Sequence, residues 1–509
     1  MTGPKRESPS PHVHEAQTVL AQDQAQEKET VHAGTTEAET DLYKVAWNGN
    51  QDVLNPKNWS ARSRWVQLTV LGLLNFVTCL SSSMLAPALS SLVSDLDTHN
   101  SALTSLSLSI YVVGFALGPL ITAPLSEMYG RIIVYHISSL LFLAFTSASA
   151  ASSNIGMFIA FRFFSGCVGI TPAALLGGSI GDLMPPSSMG KATGGIAIGS
   201  LIAPLIAPVI GGYLSEYAGW RWVLWLNTIL YGAIAFPSLF ILRETYAPIL
   251  LSRKARRLRR ETGDSRYRYC LDSNTSRTVA FKEALIRPLQ FLVTSPIVFI
   301  LSWEVAIVYG VQYLVFTTLE LVFEQRYQFS PGSAGLTYLG DGIGAIAGVF
   351  ATAMAMDKIA KKKASIDTQS APEKVLWLLI PAGILVPAGL FWYGWSVEAK
   401  SFWLVPLIGL GVFGFAIMAG FMPVQVYLIR AFDHHSTSAL AANNLLRSIL
   451  GAVLPLAGLD MYATLGYGWG NSLLAFVSLA TIPPTLLLVY RGGNMREKDH
   501  NVPKIRSSG

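Results

Sequence analysis

The feature that most restricts this chain is a series of twelve apolar runs, each near membrane-spanning length, at residues 65–89, 102–125, 132–152, 157–180, 193–214, 222–242, 293–319, 333–356, 375–395, 402–428, 437–464 and 469–490. Crossing a bilayer core takes about 20 mostly apolar residues. A backbone in hydrocarbon must satisfy its own hydrogen bonds, so runs of this length are expected as helices. The expected fold is an all-α membrane protein with twelve transmembrane helices in a lipid bilayer. Charged residues make up 13% of the chain, about half of the roughly 25% usual in soluble domains. The net charge is +6 and the sequence pI about 9.0. In a soluble protein that balance would suggest nucleic acid. Here the basic residues fall in loops between apolar runs, where they act as topology signals, and no nucleic-acid partner is expected.

The basic residues also orient the chain. The stretch after the sixth run carries Arg253, Lys254, Arg256, Arg257, Arg259 and Arg260. The loop after the eighth carries Lys358, Lys361, Lys362 and Lys363, and the C-terminal tail carries Arg491, Arg496, Lys498, Lys504 and Arg506. Loops 93–101 and 153–156 contain neither Lys nor Arg. Positive loops stay in the cytoplasm, so both termini and the central loop are expected there, which requires an even number of spans. Two sets of six helices joined by a long polar loop predict two pseudo-symmetric six-helix bundles that rock about a site near the bilayer midplane. The expected division is a disordered cytoplasmic tail (1–60), an N-terminal bundle (61–243), a cytoplasmic loop (244–292), a C-terminal bundle (293–490) and a cytoplasmic tail (491–509). Residues 1–41 lack the apolar segment of a cleaved signal peptide, so the first helix is expected to serve as an uncleaved anchor.

Three features carry chemistry. The segment Gly118-Pro-Leu-Ile-Thr-Ala-Pro-Leu-Ser-Glu127-Met-Tyr-Gly130-Arg131 closes the second run and sets an acid four residues from a base. It reads either as a charge latch between two conformations or as a topology anchor with a tight turn at Gly130. Arg162 lies inside the fourth run. A cation in lipid is costly and functional by default, yet an arginine near a helix end also snorkels to the surface. Arg162 would orient a neighbouring acid. The third feature is a polar set in the second half: Glu304 and Arg447 near mid-depth, with Asp341, Asn443 and Asn444. Glu304 and Arg447 would pair across the bundle, either as a static ion pair or as a proton carrier with its modulating cation; burial raises a carboxyl pKa and a nearby cation lowers it. Asp182 reads as merely interfacial. Trp303, Tyr309, Tyr313, Tyr338 and Phe415 are candidate walls of a cavity for amphiphiles or, equally, ordinary packing residues.

Other constellations are absent from the sequence. No GxxxxGK[ST] loop supports ATP-driven transport, and no HExxH or Cys/His cluster supports a metal centre. No GxSxG elbow supports a hydrolase. The three cysteines, Cys79, Cys167 and Cys270, are far apart. No enzyme activity, cofactor or metal is expected. Asn58-Trp59-Ser60 and Asn274-Thr275-Ser276 match the glycosylation acceptor pattern but fall on the expected cytoplasmic side, so neither should be modified.

Several of these segments resemble motifs of the major facilitator superfamily, specifically its fungal drug:proton antiporter family with twelve spans. The likeness runs from about Asn55 to Arg491. Asn55-Pro-Lys-Asn-Trp59-Ser60 is similar to the motif before the first helix, and Gly118 to Arg131 to the loop-two motif, with Glu127 and Arg131 in its acidic and basic places. Arg162 and Gly166 resemble the RxxxG motif implicated in proton coupling. Gly199 through Pro208, Gly211 and Gly212 resemble the helix-five antiporter motif, and Tyr309-Gly310, Asn443 and Arg447-Ser448 also fit that group. Departures are Ile132 and Ile133 where a second base usually follows, Ala207 where glycine is common, and Glu304 where relatives often carry an uncharged aromatic residue.

The resemblance implies a secondary active transporter that exports amphiphilic small molecules, a drug or a secondary metabolite such as a mycotoxin, in exchange for protons. Its partners would be protons and an organic substrate, and it is expected as a monomer in the cell membrane or, alternatively, the vacuolar membrane. Glu304 would carry the proton and Arg162 would modulate coupling. Alternatives are a proton-coupled nutrient importer, a polyamine exporter, and a non-transporting sensor on the same fold.

Overall fold

The computed structural model describes residues 43–49, 52–98, 100–269, 277–361, 372–432 and 436–498. The remainder of the N-terminal tail, Cys270, the second glycosylation acceptor, Lys362, Lys363, Lys504 and Arg506 lie outside them.

The first half of the membrane unit comprises α1 (Ala61–Ser83), α2 (Leu89–Asp95), α3 (Ser101–Tyr129), α4 (Arg131–Ala150), α5 (Ile155–Gly169), α6 (Thr171–Leu183), α7 (Pro186–Ala218) and α8 (Trp220–Ile241). Helices α5 and α6 together form one span, 155–183. Three of these helices, α1, α3 and α5, start where a polar side chain satisfies donors that the first turn leaves free. Asn100 accepts from the N–H groups of Ala102 and Leu103, Asn154 from Met157, and Ser60 from Ser63. Gly130 and Gly219, at φ of 100° and 86°, end one helix and begin the next. Only glycine takes that backbone region without strain, so the chain reverses there with no intervening loop.

After residues 242–246 come the amphipathic α9 (Ala247–Thr262), then α10 (Arg277–Thr294), α11 (Pro296–Tyr327), α12 (Pro331–Lys361), α13 (Leu379–Glu398), α14 (Leu404–Phe432), α15 (Ser436–Val453), α16 (Gly458–Leu479) and α17 (Ile482–Lys498). Among the described residues, eleven stretches are long and apolar enough to cross a membrane. The last of them, 436–496, is 61 residues long. At 1.5 Å per residue it far exceeds a bilayer core of about 30 Å. Gly466, at φ 74° and ψ 176°, breaks the helix within it, and the arms on either side are each long enough for one crossing. Among the described residues the membrane unit is therefore all-α with twelve crossings.

One boundary differs in a way that matters. The seventh run was expected to stop at Leu319, where hydropathy falls, but α11 continues to Tyr327. The backbone ladder does not need apolar side chains, and Glu320 and Glu324 face donors on the other half of the molecule.

The described residues within 1–58 and 246–274 form a separate compact unit. In its described part, β1 (Lys44–Val45) pairs in parallel with β2 (Arg268–Tyr269). Leu251 and Ala255 of α9 pack on Val45. Lys254 donates to Asp52 at 2.8 Å and to the Ala46 carbonyl at 3.0 Å. The Asn48 N–H, followed by Lys254, holds the Asp52 carboxyl below its usual range. The expectation of a disordered tail through residue 60 is thus corrected for residues 43–49 and 52–60. A short strand and an apolar helix face, both inconspicuous in a polar sequence, supply the packing.

Candidate functional site

A cavity of about 160 Å³ lies between the two halves of the membrane unit. Ser82, Ser200 and Leu205 line it from the first half; Gln312, Tyr313 and Asp341 line it from the second. Its floor is amphipathic. Gln312 Nε2 donates to Asp341 Oδ2 at 3.4 Å, and Asp341 Oδ1 is buried with no protein partner. Tyr313 packs on Tyr309 with ring centroids 4.9 Å apart, and the Tyr338 hydroxyl donates to the Phe316 carbonyl at 2.7 Å. Mixed aromatic and polar walls at the meeting of two repeats suit an amphiphilic ligand. Sequence reasoning missed Gln312, whose one signal is an uncharged polar residue in an apolar run beside Tyr313.

A second chamber of about 60 Å³ lies inside the second half, lined by Glu304, Arg447, Phe421 and Thr481 among others. Tyr309 and Met418 face both chambers and so form the partition. Glu304 is buried and accepts from Thr485 Oγ1 at 2.7 Å. The expected Glu304–Arg447 pair does not form. Arg447 instead donates to Asn444 Oδ1 at 2.6 Å and lies 4.5 Å from the Tyr309 ring centroid and 5.1 Å from that of Phe421. A neighbour on its own helix and two facing rings hold the guanidinium, while its Nε is buried without a hydrogen-bond partner. Asn444 Nδ2 also donates to the Phe115 carbonyl at 3.3 Å, bridging the halves. Asn443 bonds Gln425 and Ser302 and lines neither chamber.

Arg162 is completely buried, which excludes the snorkelling alternative. It donates to the carbonyl of Ser81 at 3.1 Å and to its hydroxyl at 3.4 Å, and stacks 4.4 Å from the centroid of Tyr111. Among the described residues no carboxylate pairs with it, so the expectation that it orients an acid is corrected. Ser81 precedes Ser82 of the cavity wall, and Arg162 therefore fixes the end of α1 where that helix borders the cavity. Trp303, expected in the cavity, is 42% exposed and stacks on Phe299 on the outer face. Adjacent helical residues point about 100° apart, so turning Glu304 inward turns Trp303 out. Phe415 borders a groove between α12 and α14 rather than the central cavity.

The loop-two motif is built differently from its expected charge pair. Arg131 Nε donates to Asp182 Oδ2 at 2.5 Å, with both side chains mostly buried. Glu127 is exposed. Glu244, at the far end of the first half, accepts the backbone N–H groups of Arg131 and Ile132 at 3.1 and 3.4 Å, and so caps α4 where Gly130 has no side chain to offer. Asp182, read as merely interfacial, is thus the acid of the motif. In the helix-five motif, a Cβ on Gly211 would fall 1.7 Å from the Met84 carbonyl oxygen, and one on Gly212 2.6 Å from that of Pro331. Pro208 meets Gly335 of α12 through its carbonyl. These residues set the approach of α7 to α1 and α12, whereas Gly199 is roomy.

Residues 71–455 match the family model described as Major Facilitator Superfamily. The chain belongs to that superfamily. It is 42% identical over 458 residues to the MFS-type transporter penM of Penicillium rubens, covering 90% of each chain. It is 43% identical to the MFS-type transporter hepF of Aspergillus oryzae, covering 88% of this chain and 93% of the relative. It is 42% identical to the efflux pump radE of Floropilus chiversii, covering 90% and 86%. Among solved structures, the partially occluded inward open xylose transporter XylE of E. coli aligns over 84% of this superfamily member and 97% of that chain, with a TM-score of 0.61 at 14% identity. That likeness concerns the fold.

Proposed function

We propose that this chain exports amphiphilic small molecules of the secondary-metabolite or drug type in exchange for protons. The observation that carries the reading is the amphipathic cavity between the halves, in a chain about 42% identical to a fungal efflux pump over most of its length. The two bundles, 61–243 and 293–490, rock about that cavity and expose it to one side at a time. A proton from outside occupies Glu304 while substrate leaves outward. Glu304 suits this role because it faces an enclosed, mainly apolar chamber, accepts from the Thr485 hydroxyl, and forms no ion pair with Arg447 on the chamber wall. Arg162 transmits the state of the first half to the cavity wall through Ser81. Both termini face the cytoplasm, and the protein works as a monomer in the cell membrane. Asp341 alone among the cavity-lining residues is a carboxylate, which favours an uncharged or singly charged substrate over a polyamine.

The test is retention of a panel of fluorescent and toxic amphiphiles in a transporter-deficient fungal host, with and without a protonophore. Lower retention that the protonophore abolishes, and that Glu304→Gln makes independent of external pH, is the expected result. Retention that rises on expression would indicate import. Unchanged proton coupling in Glu304→Gln would remove that residue from the mechanism.

A further inference from the structure

At the end of the membrane unit where α1 finishes and α3 begins, the two halves are joined by carboxylates that, among the described residues, pair with no cation. Glu320 of α11 is 1% exposed and accepts the N–H of Leu89 at 3.3 Å, while its Oε1 is buried without a partner. One turn further, Glu324 accepts from the hydroxyl of Ser90 at 2.9 Å. Glu216 of α7 accepts from the Ser330 hydroxyl at 3.0 Å and the Gly332 N–H at 2.9 Å. Asp460 of α16 accepts from the Ser101 hydroxyl at 2.9 Å. In each contact acid and donor belong to different halves.

Carboxylates on the same side that bond within one half are treated differently. Asp95 is paired with Arg221 and accepts from the Trp220 indole at 3.0 Å, which holds its carboxyl below the usual range. Glu398 is paired with Arg326 at 3.3 Å. Acids within a half therefore hold an arginine, and acids across the seam hold only hydroxyls and backbone N–H groups. An ionised carboxylate is an acceptor with several sites, and charge makes its hydrogen bonds stronger than neutral ones. Protonation removes that charge assistance. It also removes the Coulombic repulsion between Glu320 and Glu324, so the isolated acids of the seam respond to a proton in a way that arginine-paired acids do not. Tyr338 of α12 faces Glu320, and Tyr462 of α16 meets Thr318 of the same helix α11. Among the described residues, no lysine, arginine or histidine bonds to Glu320 or Glu324.

We infer that Glu320 and Glu324, flanked by Glu216 and Asp460, form a proton-operated latch that holds the halves together on this side and lets them part when protonated. They are positioning residues for the conformational change, separate from Glu304 in the inner chamber. The inference rests on the alternating-access reading but not on export or on any substrate.

The experiment measures spin-label distances in substrate-free full-length protein in lipid nanodiscs from pH 8 to pH 5. Labels sit at Ser153→Cys and Ala399→Cys, exposed positions on this side of the first and second halves, with Cys79, Cys167 and Cys270 replaced by Ala. The expected result is a shift toward longer distances on acidification. Glu320→Gln with Glu324→Gln should give the acid distribution at every pH. Glu320→Asp, which keeps a carboxylate, should retain the shift, and Glu324→Gln alone should move its midpoint, so the inference stays testable if the double variant folds poorly. A pH-independent distribution in the parent protein, or an undiminished shift in the Gln variants, would overturn it. Failure of the export assay leaves these distances unaffected, so the two readings fail separately.

Discussion

Replacing Gly211 by Ala tests how the helix-five motif works. The new Cβ would lie 1.7 Å from the carbonyl oxygen of Met84 and 2.8 Å from its carbon. A carbon–oxygen contact needs about 3.3 Å, so the end of α1 would have to retreat by roughly 1.5 Å. The obstruction is backbone in a residue only 1% exposed, and it cannot rotate aside as a side chain would. Overpacking of this kind costs about 1–3 kcal/mol, and the upper end applies to a backbone clash. The better helix propensity of Ala offsets about 1 kcal/mol of that, leaving a net loss of about 2 kcal/mol. Gly199→Ala is the internal control. Its Cβ meets only Phe76, at 3.9 Å, so the propensity gain stands alone and the variant should be unchanged or up to about 1 kcal/mol more stable. The assay is thermal unfolding of both purified variants beside the parent protein, followed by transport at a temperature where all are folded. Gly211→Ala should unfold several degrees earlier and transport more slowly, with Gly199→Ala at or above the parent. Equal melting temperatures for the two variants would refute the close-approach argument.

Other outcomes follow from the same geometry. Arg162→Lys keeps the charge but loses the two-point grip on Ser81 and the guanidinium's contact over the Tyr111 ring; a loss of about 1.4 kcal/mol would slow transport about tenfold, and parent-like rates in substrate-flux measurements would argue against the role. A double-mutant cycle over Arg131→Gln and Asp182→Asn should give a coupling of about 1 kcal/mol or more, because the pair is mostly buried; additive effects on melting would mean the pair is idle. The Asp52 carboxyl is held below its ordinary value of 3.8 in the folded unit, so its stabilising contribution is fully present above that value and is lost as pH falls through the lower, folded one. The protection of residues 43–49 against hydrogen exchange, relative to the intrinsic rate at each pH, should therefore fall below about pH 4 in the parent, while Asp52→Asn is less protected already at neutral pH; identical protection in the two would refute the pairing.

The chain's apolar periodicity was sufficient for the membrane, the all-α fold and the number of crossings, because a buried backbone in hydrocarbon has so few ways to satisfy its hydrogen bonds. Motif spacing likewise made Gly130, Arg131, Arg162 and Gly211 legible, since each sits where a helix ends, buries a charge or meets a neighbour closely. Partnership was not legible. Arg131 finds Asp182, 51 positions away, rather than Glu127 four positions away, and Glu304 finds Thr485, 181 positions away, rather than Arg447. The cavity walls and the cation-free seam on the far side share that origin. A hydrogen bond depends on the direction each side chain takes around its helix and on which helices are adjacent. Sequence by itself determined that these polar groups would be buried in twelve crossing helices, but only the packing of those helices decided what each one meets.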